Sequence, residues 1–173
     1  MAFKFEFSHL LAYTDWDRAQ WEAWFRTQGT APFAVGLGPN GDGRVNNVGE
    51  MVRHIFGAEQ RYADRIRGVA PSDVGAVPTD DVDALFDLGR RSRQAMRALL
   101  AELDEKRWDV PQEIQLGSNK RSVTPKTMAA QSVTHEIRHW AQTAAFLRMA
   151  GYKTGPHDFL VSPVFEAGPA TAR

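Results

Sequence analysis

The sequence predicts an all-α protein, an up-down four-helix bundle with a short hairpin or irregular crossover before its last helix. Three observations support this fold class. Four segments space their apolar residues at helical intervals, capping signals precede two of those segments, and 173 residues that are 43% hydrophobic can bury one core. We therefore expect a single domain over residues 1–173, with an irregular tail from about residue 155.

A glycine-rich loop separates the first two predicted helices. The first helix runs from about Ser8 to Gln28, because its leucines and aromatic residues form a wide apolar face. The loop over residues 29–46 has glycines spaced too closely for regular structure, and no Gly-Lys-Ser/Thr sequence makes it a phosphate-binding loop. The second helix starts after Asn47, with Glu50 in the capping-box position, and ends near residue 67.

The second half of the chain contains two further helices joined by a non-helical segment. The third helix is predicted from about Thr79 to Arg107, and its basic run over residues 90–93 is typical of a solvated face. Turn-forming residues between Trp108 and Ser122 predict the hairpin or crossover. A capping threonine and a proline at residues 124–125 then start the last helix, which is expected to end at Gly151.

Composition excludes several classes of function. The chain has no cysteine, so any metal ligands are nitrogen or oxygen atoms and a cysteine nucleophile is excluded. Lysine plus arginine and aspartate plus glutamate number 21 each, which gives no net field to attract nucleic acid or an anionic membrane. No signal-peptide core or membrane-spanning run is present in the sequence. We therefore expect a cytoplasmic protein without nucleic acid or membrane partners.

Two histidines one helical turn apart are the strongest functional signal. His135 and His139 lie on one face of the last helix, and imidazoles at this spacing can reach one divalent ion. His54 on the second helix offers a third imidazole, with Glu59 and Gln142 in register to support the ligands through hydrogen bonds. Three neutral ligands from two helices leave coordination positions open, as catalytic metal sites do. The two remaining histidines, His9 and His157, are predicted to be surface or structural residues.

Three other interpretations of the same histidines remain open at this point. The pair could be structural, with each ring satisfied by a backbone or hydroxyl group. His135-Glu136-x-x-His139 also fits the zinc-protease pattern, in which Glu136 is the general base and a later carboxylate, Asp158 or Glu166, could complete the site. The bundle could also hold a metal or small ligand without catalysing a reaction. Replacing His54 separates these cases, because a protease-like site keeps its metal without it.

In the order and spacing of these segments the chain resembles the DinB-like, or YfiT-like, metalloenzyme family. The resemblance implies a four-helix bundle, a divalent ion on His54, His135 and His139, and a homodimer. Nickel or zinc is the implied metal, with manganese or iron as further candidates. The chain differs from many members in having Trp140-Ala141-Gln142 where they have Arg-Gly-Gln. The matching segments are Leu11-Ala12-Tyr13 to Trp24, Met51 to Glu59, His135-x-x-x-His139, and Gly151 to Asp158.

The family resemblance also implies a chemistry. Relatives with this fold include transferases that use low-molecular-weight thiols such as bacillithiol or mycothiol, and a mycothiol-dependent maleylpyruvate isomerase. A metal with neutral ligands lowers the pKa of a bound thiol, so that a thiolate exists at neutral pH. The predicted function is therefore metal-dependent transfer of a low-molecular-weight thiol to a small electrophile. No side chain of the protein is assigned a catalytic role.

Overall fold

The computed structural model describes residues 4–38 and 45–165 and contains four long helices and one hairpin. The helices are α1 (Phe7–Gln28), α2 (Val48–Arg67), α3 (Val82–Glu102) and α4 (Pro125–Met149). The hairpin consists of β1 (Gln112–Leu116) and β2 (Asn119–Val123), which pair antiparallel. No described helix is long and apolar enough to cross a membrane. The predicted four-helix bundle with a hairpin before its last helix is confirmed.

Local capping explains where the helices begin. The Asn47 side chain accepts a hydrogen bond from the Glu50 backbone N–H at 2.9 Å, as the sequence predicted. The Glu50 carboxylate accepts from the backbone N–H of Asn46 at 2.8 Å, so the reciprocal bond lies one residue before the expected one. Thr124 caps α4 in the same way as Asn47 caps α2.

Helix α3 is shorter than predicted at both ends. Asp81 caps its start by accepting from the Ala84 N–H at 3.1 Å, and the helix ends at Glu102 instead of Arg107. The Asp104 side chain accepts from the Lys106 N–H at 2.9 Å and starts a 3₁₀ turn. A short acidic side chain that bonds to nearby backbone competes with helix continuation, which the apolar spacing alone does not reveal.

The helices do not alternate strictly in direction. One apolar cluster joins the end of α1, the starts of α2 and α3, and the end of α4, around Phe25, Phe56 and Trp140. The second cluster joins the opposite ends of the same four helices, around Ile66 and Met128. Consequently α2 and α3 are parallel to each other, and α1 and α4 run in the opposite direction.

This arrangement requires the connection over residues 68–81 to return along α2. The Ser72 N–H donates to the Asp64 carboxylate at 2.8 Å, and the Arg53 guanidinium donates to the Gly75 carbonyl oxygen at 2.8 Å. Near the end of the connection, the Thr79 carbonyl oxygen lies against Gly49, where an added Cβ would be 1.9 Å away. The sequence indicated only that this stretch ends the second helix. The stretch is also long enough to run back along α2, so that α3 starts beside the start of α2.

A layer of buried charge separates the two apolar clusters. Each helix contributes one residue, namely Arg18, Glu59, Arg93 and Glu136, and all four are at most 8% exposed. The prediction of a solvated face for residues 90–93 is therefore wrong for Ser92 and Arg93, which are buried, although Arg90 and Arg91 are exposed. Two arginines and two carboxylates balance, so the layer has no net charge.

Short turns hold part of the remaining chain. The glycine-rich loop starts with a 3₁₀ turn over Ala31–Ala34, and its buried Phe33 and Leu37 join the first apolar cluster. After α4, two further 3₁₀ turns over Phe159–Val161 and Pro163–Phe165 lie in a tail without longer elements up to residue 165.

Candidate metal centre

The bundle brings the three predicted ligand residues together. His135 and His139 lie one turn apart on α4, and His54 on α2 faces them. The Nε2 atom of His135 is 3.1 Å from Nε2 of His54 and 3.0 Å from Nε2 of His139. Ligand atoms of the three residues all lie within 4.8 Å of one another.

The two nitrogen separations around His135 fit ligands of one divalent ion. Nitrogen ligands at about 2.0–2.1 Å from one ion lie about 2.9–3.4 Å apart in octahedral or tetrahedral geometry. The two measured nitrogen separations fall inside that interval. Three imidazoles are a donor set that suits zinc, nickel, copper and iron, and they leave part of the coordination sphere open.

Gln142 supports the centre from behind His139. Its Oε1 atom lies 2.6 Å from Nδ1 of His139. With the amide oriented in this way, the neutral imidazole donates its Nδ1 proton to the glutamine and keeps a lone pair on Nε2. Such a hydrogen bond fixes both the tautomer and the ring plane of a metal ligand.

His135 is held in its neutral form. Burial lowers its pKa to about 3, and electrostatic interactions with His139, His54, Arg138 and Arg61 lower it further. At neutral pH no proton therefore competes with a metal for this ring. Its Nδ1 atom is buried and has no hydrogen-bond partner in the described part of the chain.

Glu59 lies in the charged layer and does not support the histidines, contrary to the sequence prediction. Its carboxylate accepts from Arg18 at 2.7 Å and from the Ser92 hydroxyl at 2.9 Å, and it pairs with Arg93 at 2.9 Å. Burial alone would raise the pKa of this carboxyl, but Arg18 and Arg93 more than offset burial and lower it. Glu59 is an ionised structural residue.

Glu136 is engaged in the same layer. One of its oxygens accepts from Arg18 at 2.6 Å, the other accepts from Arg18 at 2.7 Å and from Arg93 at 2.9 Å, and Trp140 Nε1 lies 3.3 Å from the first. Burial lowers the pKa of Arg18, but Glu136 and Glu59 outweigh that effect and raise it. A carboxylate shared by two buried guanidiniums is unsuited to act as the base of a protease-like site.

The tail contributes no ligand in the described residues. His157 Nδ1 lies 2.6 Å from the Asp17 carboxylate, and the ring stacks on Trp21 with centroids 4.0 Å apart, which makes His157 structural. Asp158 borders a separate cavity beside these residues. Glu166, the other carboxylate considered from the sequence, lies outside the described residues.

Two further residues noted in the sequence, His9 and Trp140, also have structural roles. His9 Nδ1 accepts from the Glu6 backbone N–H at 2.9 Å and so caps α1. Trp140 is 2% exposed and stacks on Trp21 with centroids 4.9 Å apart. That position is part of the core in this chain.

Sequence reasoning missed the two buried arginines, although a signal for one of them exists. Arg18 belongs to the series Leu11, Thr14, Arg18, Trp21 and Phe25, which follows helical spacing and is buried throughout. A charge in the middle of an apolar face predicts a buried partner of opposite sign. Which carboxylate fills that role depends on the packing of the other helices.

The histidines open into a cavity of about 450 Å³. The cavity lies between α2 and α4, and the turn of the hairpin at Leu116 and Gly117 forms part of its wall. Besides the three histidines, three arginines line it, namely Arg61, Arg65 and Arg138.

Fold and site together define a class of protein, a four-helix bundle in which two helices gather three imidazoles into one potential metal site. The family model described as DinB superfamily matches residues 38–143, a range that contains all three histidines and more than half of the chain. The chain belongs to the DinB superfamily, which confirms the resemblance seen in the sequence. No curated protein matches the chain significantly.

Proposed function

We propose that this protein binds one divalent metal ion through His54, His135 and His139 and uses it to transfer a low-molecular-weight thiol to a small electrophile. The observation that supports this best is the convergence of three Nε2 atoms, with separations of 3.0 and 3.1 Å, beside a cavity of small-molecule size. A site with three neutral ligands keeps positions open for a ligand from that cavity.

The chemistry needs no nucleophile from the protein. A divalent ion on neutral ligands lowers the pKa of a thiol that binds it, so that a thiolate is present at neutral pH. In the transfer, the thiol releases its proton to solvent and its sulfur forms a bond to an electrophilic carbon. The displaced electron pair stays on a leaving group or on an oxygen of the electrophile, which then takes up a proton. Since the chain has no cysteine, the sulfur belongs to a small molecule.

Several finer points belong to the same proposal. The imidazole donor set favours nickel or zinc over manganese, with iron as another candidate. The family resemblance suggests thiols of the bacillithiol or mycothiol kind, a small-molecule electrophile and a homodimeric assembly. The charge balance and composition of the chain suggest action in the cytoplasm, without nucleic acid or membrane partners.

The geometry favours this proposal over a zinc hydrolase of the His-Glu-x-x-His type. Such an enzyme needs its glutamate free to take a proton from water at the metal. Here both oxygens of Glu136 accept hydrogen bonds from buried arginines. A bundle that holds the metal without turnover is the alternative that the experiments below distinguish.

The first experiment is elemental analysis of protein purified without a metal-affinity tag. Wild type is compared with His54→Ala and His135→Ala, and His9→Ala is the matched control because His9 caps α1 and lies outside the cluster. We expect about one metal ion per chain in wild type and in the control, and loss of the metal in both cluster variants. Metal retained by His54→Ala would instead support the protease-like site.

The second experiment tests transfer with the metal-loaded protein. Thiols such as bacillithiol and mycothiol are incubated with small epoxide and α,β-unsaturated carbonyl electrophiles, and the conjugate is measured by mass spectrometry. We expect conjugate formation above the uncatalysed rate, and loss of that excess in His135→Ala. A fully loaded protein that forms no excess conjugate with every pair would favour the non-catalytic bundle, and a wild type that takes up no metal would refute the proposal.

A further inference from the structure

The cavity above the histidines has a wall of positive charge. Arg61 and Arg65 lie one turn apart on α2, on the same face as His54. Arg138 lies on α4, next to His139 in the sequence, and lines the same cavity. None of the described residues that line this cavity carries a carboxylate. The chain as a whole has a formal net charge of zero, so this concentration of one sign is local.

Several arginines on another surface of the bundle are neutralised by neighbouring carboxylates. On the α1 and α3 surface, Arg90 pairs with Glu22 at 3.0 Å, Arg26 with Asp83 at 2.6 Å, and Arg97 with Asp15. By contrast, within residues 4–38 and 45–165 neither Arg65 nor Arg138 forms an ion pair. The guanidinium of Arg65 lies 5.7 Å from the centre of the Tyr62 ring, which holds it beside the cavity.

Arg65 and Arg138, which form no ion pair within the described residues, suit an anion in this concave site. A guanidinium presents donors in a planar fork that matches the two oxygens of a carboxylate or phosphate. The cavity volume of about 450 Å³ falls in the range of pockets for small molecules and is open to solvent beside the exposed Arg138. The arginines and all three histidines line the same cavity, so an anion held by the arginines would lie next to the histidines.

We propose that this cavity binds a small organic anion, with Arg65 and Arg138 holding its carboxylate or phosphate group next to the histidine centre. The role of that anion as a substrate, either the thiol or the electrophile, rests on the proposed function. The binding itself requires no metal and can be tested separately.

The test is calorimetric titration of metal-free full-length protein, from which the chelator has been removed by dialysis, at neutral pH and low ionic strength. The probes are succinate and inorganic phosphate, and succinamide is the uncharged analogue of succinate. We expect saturable 1:1 binding of at least one anion and at least about 10-fold weaker binding of succinamide, since a charge-assisted hydrogen bond contributes this much. Binding of succinate alone assigns a carboxylate ligand, and binding of phosphate alone assigns a phosphate ligand.

Variants place the binding in the cavity. Arg65→Gln and Arg138→Gln should each weaken anion binding by about 10-fold, because each removes one charged donor. Arg91→Gln is the matched control, because Arg91 is also exposed on a long helix but does not line the cavity. Circular dichroism checks that each variant is folded, which is expected because Arg138 is exposed and Arg65 half-buried.

Three results would overturn the inference: no saturable binding of either anion, succinamide binding as tight as succinate binding, or an equal loss in Arg91→Gln. These failures are distinguishable from failure of the proposed function. A protein that loses metal in His54→Ala but binds no anion refutes only this inference. A protein that binds the anion but never takes up metal refutes only the proposed function.

Discussion

Replacing Glu136 by glutamine tests both the charged layer and the assignment of this residue to structure. Glu136 accepts hydrogen bonds from both buried arginines at 2.6–2.9 Å, and its side chain is 2% exposed. In Glu136→Gln, the two buried guanidiniums keep one buried carboxylate, that of Glu59, and Arg93 also keeps the partly exposed Asp15 at 2.9 Å. Removing one partner from a buried ion pair costs about 3–5 kcal/mol, because the remaining charge has lost both its solvent and its counter-ion.

The matched control is Glu22→Gln. Glu22 also contacts two arginines, Arg26 at 2.8 Å and Arg90 at 3.0 Å, but its side chain is 22% exposed and its arginine partners are about half exposed. Exposed pairs of this kind contribute about 0–1 kcal/mol each. The two variants therefore remove the same group from the same type of partner and differ in burial.

The assay is urea unfolding followed by circular dichroism, together with thermal melts. For a domain of this size about 1 kcal/mol corresponds to about 2–4 °C, so the melting temperature should fall by about 6–20 °C in Glu136→Gln. The double variant Arg93→Met/Glu136→Gln, which restores one arginine per carboxylate, should recover part of the loss. A free energy of unfolding within about 1 kcal/mol of wild type in Glu136→Gln would refute the reasoning. Metal content should not change, whereas a protease-like role predicts loss of activity at an intact fold.

Three further predictions concern other parts of the molecule. Gln142→Ala should weaken metal binding by about 10–100-fold in competition with a chelator, because His139 loses the partner that fixes its tautomer. Burial, with the charges of Asp17, Asp158 and Glu136, raises the pKa of Tyr13 to about 12, so its contribution to stability should be present below pH 10 and lost between about pH 10 and 12. Ultraviolet titration should show this late step in wild type and not in Tyr13→Phe. Gly49→Ala should destabilise the fold by at least about 1–3 kcal/mol in urea unfolding, because the added methyl would meet the Thr79 carbonyl oxygen at 1.9 Å.

Each of these predictions has a result that would contradict it. Unchanged metal affinity in Gln142→Ala would mean that the ring of His139 is held by other groups. A tyrosine titration that ends near pH 10 in wild type would remove the argument from burial of Tyr13. Gly155→Ala, where an added Cβ meets nothing within 4 Å, controls for the loss of a glycine, and equal effects at Gly49 and Gly155 would contradict the steric explanation.

The four helices and the His135–His139 pair could be predicted from the sequence because both depend on short-range spacing. Apolar periodicity, the cap at Asn47 and the four-residue interval between His135 and His139 are local properties of a helix. The parallel order of α2 and α3 was not predictable in this way, because it depends on how the segment over residues 68–81 packs. The sequence pattern shows that this segment interrupts the helices, but it does not show which way the chain runs between α2 and α3.

The sequence also did not predict which residues the buried carboxylates pair with. Glu59 and His54 are five residues apart on one helix, which is about 140° around its axis. This interval directs the two side chains to different neighbours but does not identify Arg18 as a partner of Glu59. Packing decides this, because Arg18 and Arg93 are buried at the same level and need counter-charges. Position on one helix thus predicts a face, whereas the identity of the partner requires the arrangement of all four helices.

The turn of the hairpin can change in sequence while the four helices stay the same. Ile114 anchors its first strand in the second apolar cluster, while Leu116 and Gly117 at its turn border the cavity and contribute neither a histidine nor a buried charge. Substitutions or insertions at the turn would reshape the entrance and leave both the imidazoles and the ion-paired layer in place. In related proteins with the same four helices, ligand preference can therefore change through a few residues of this turn, with little loss of folding stability.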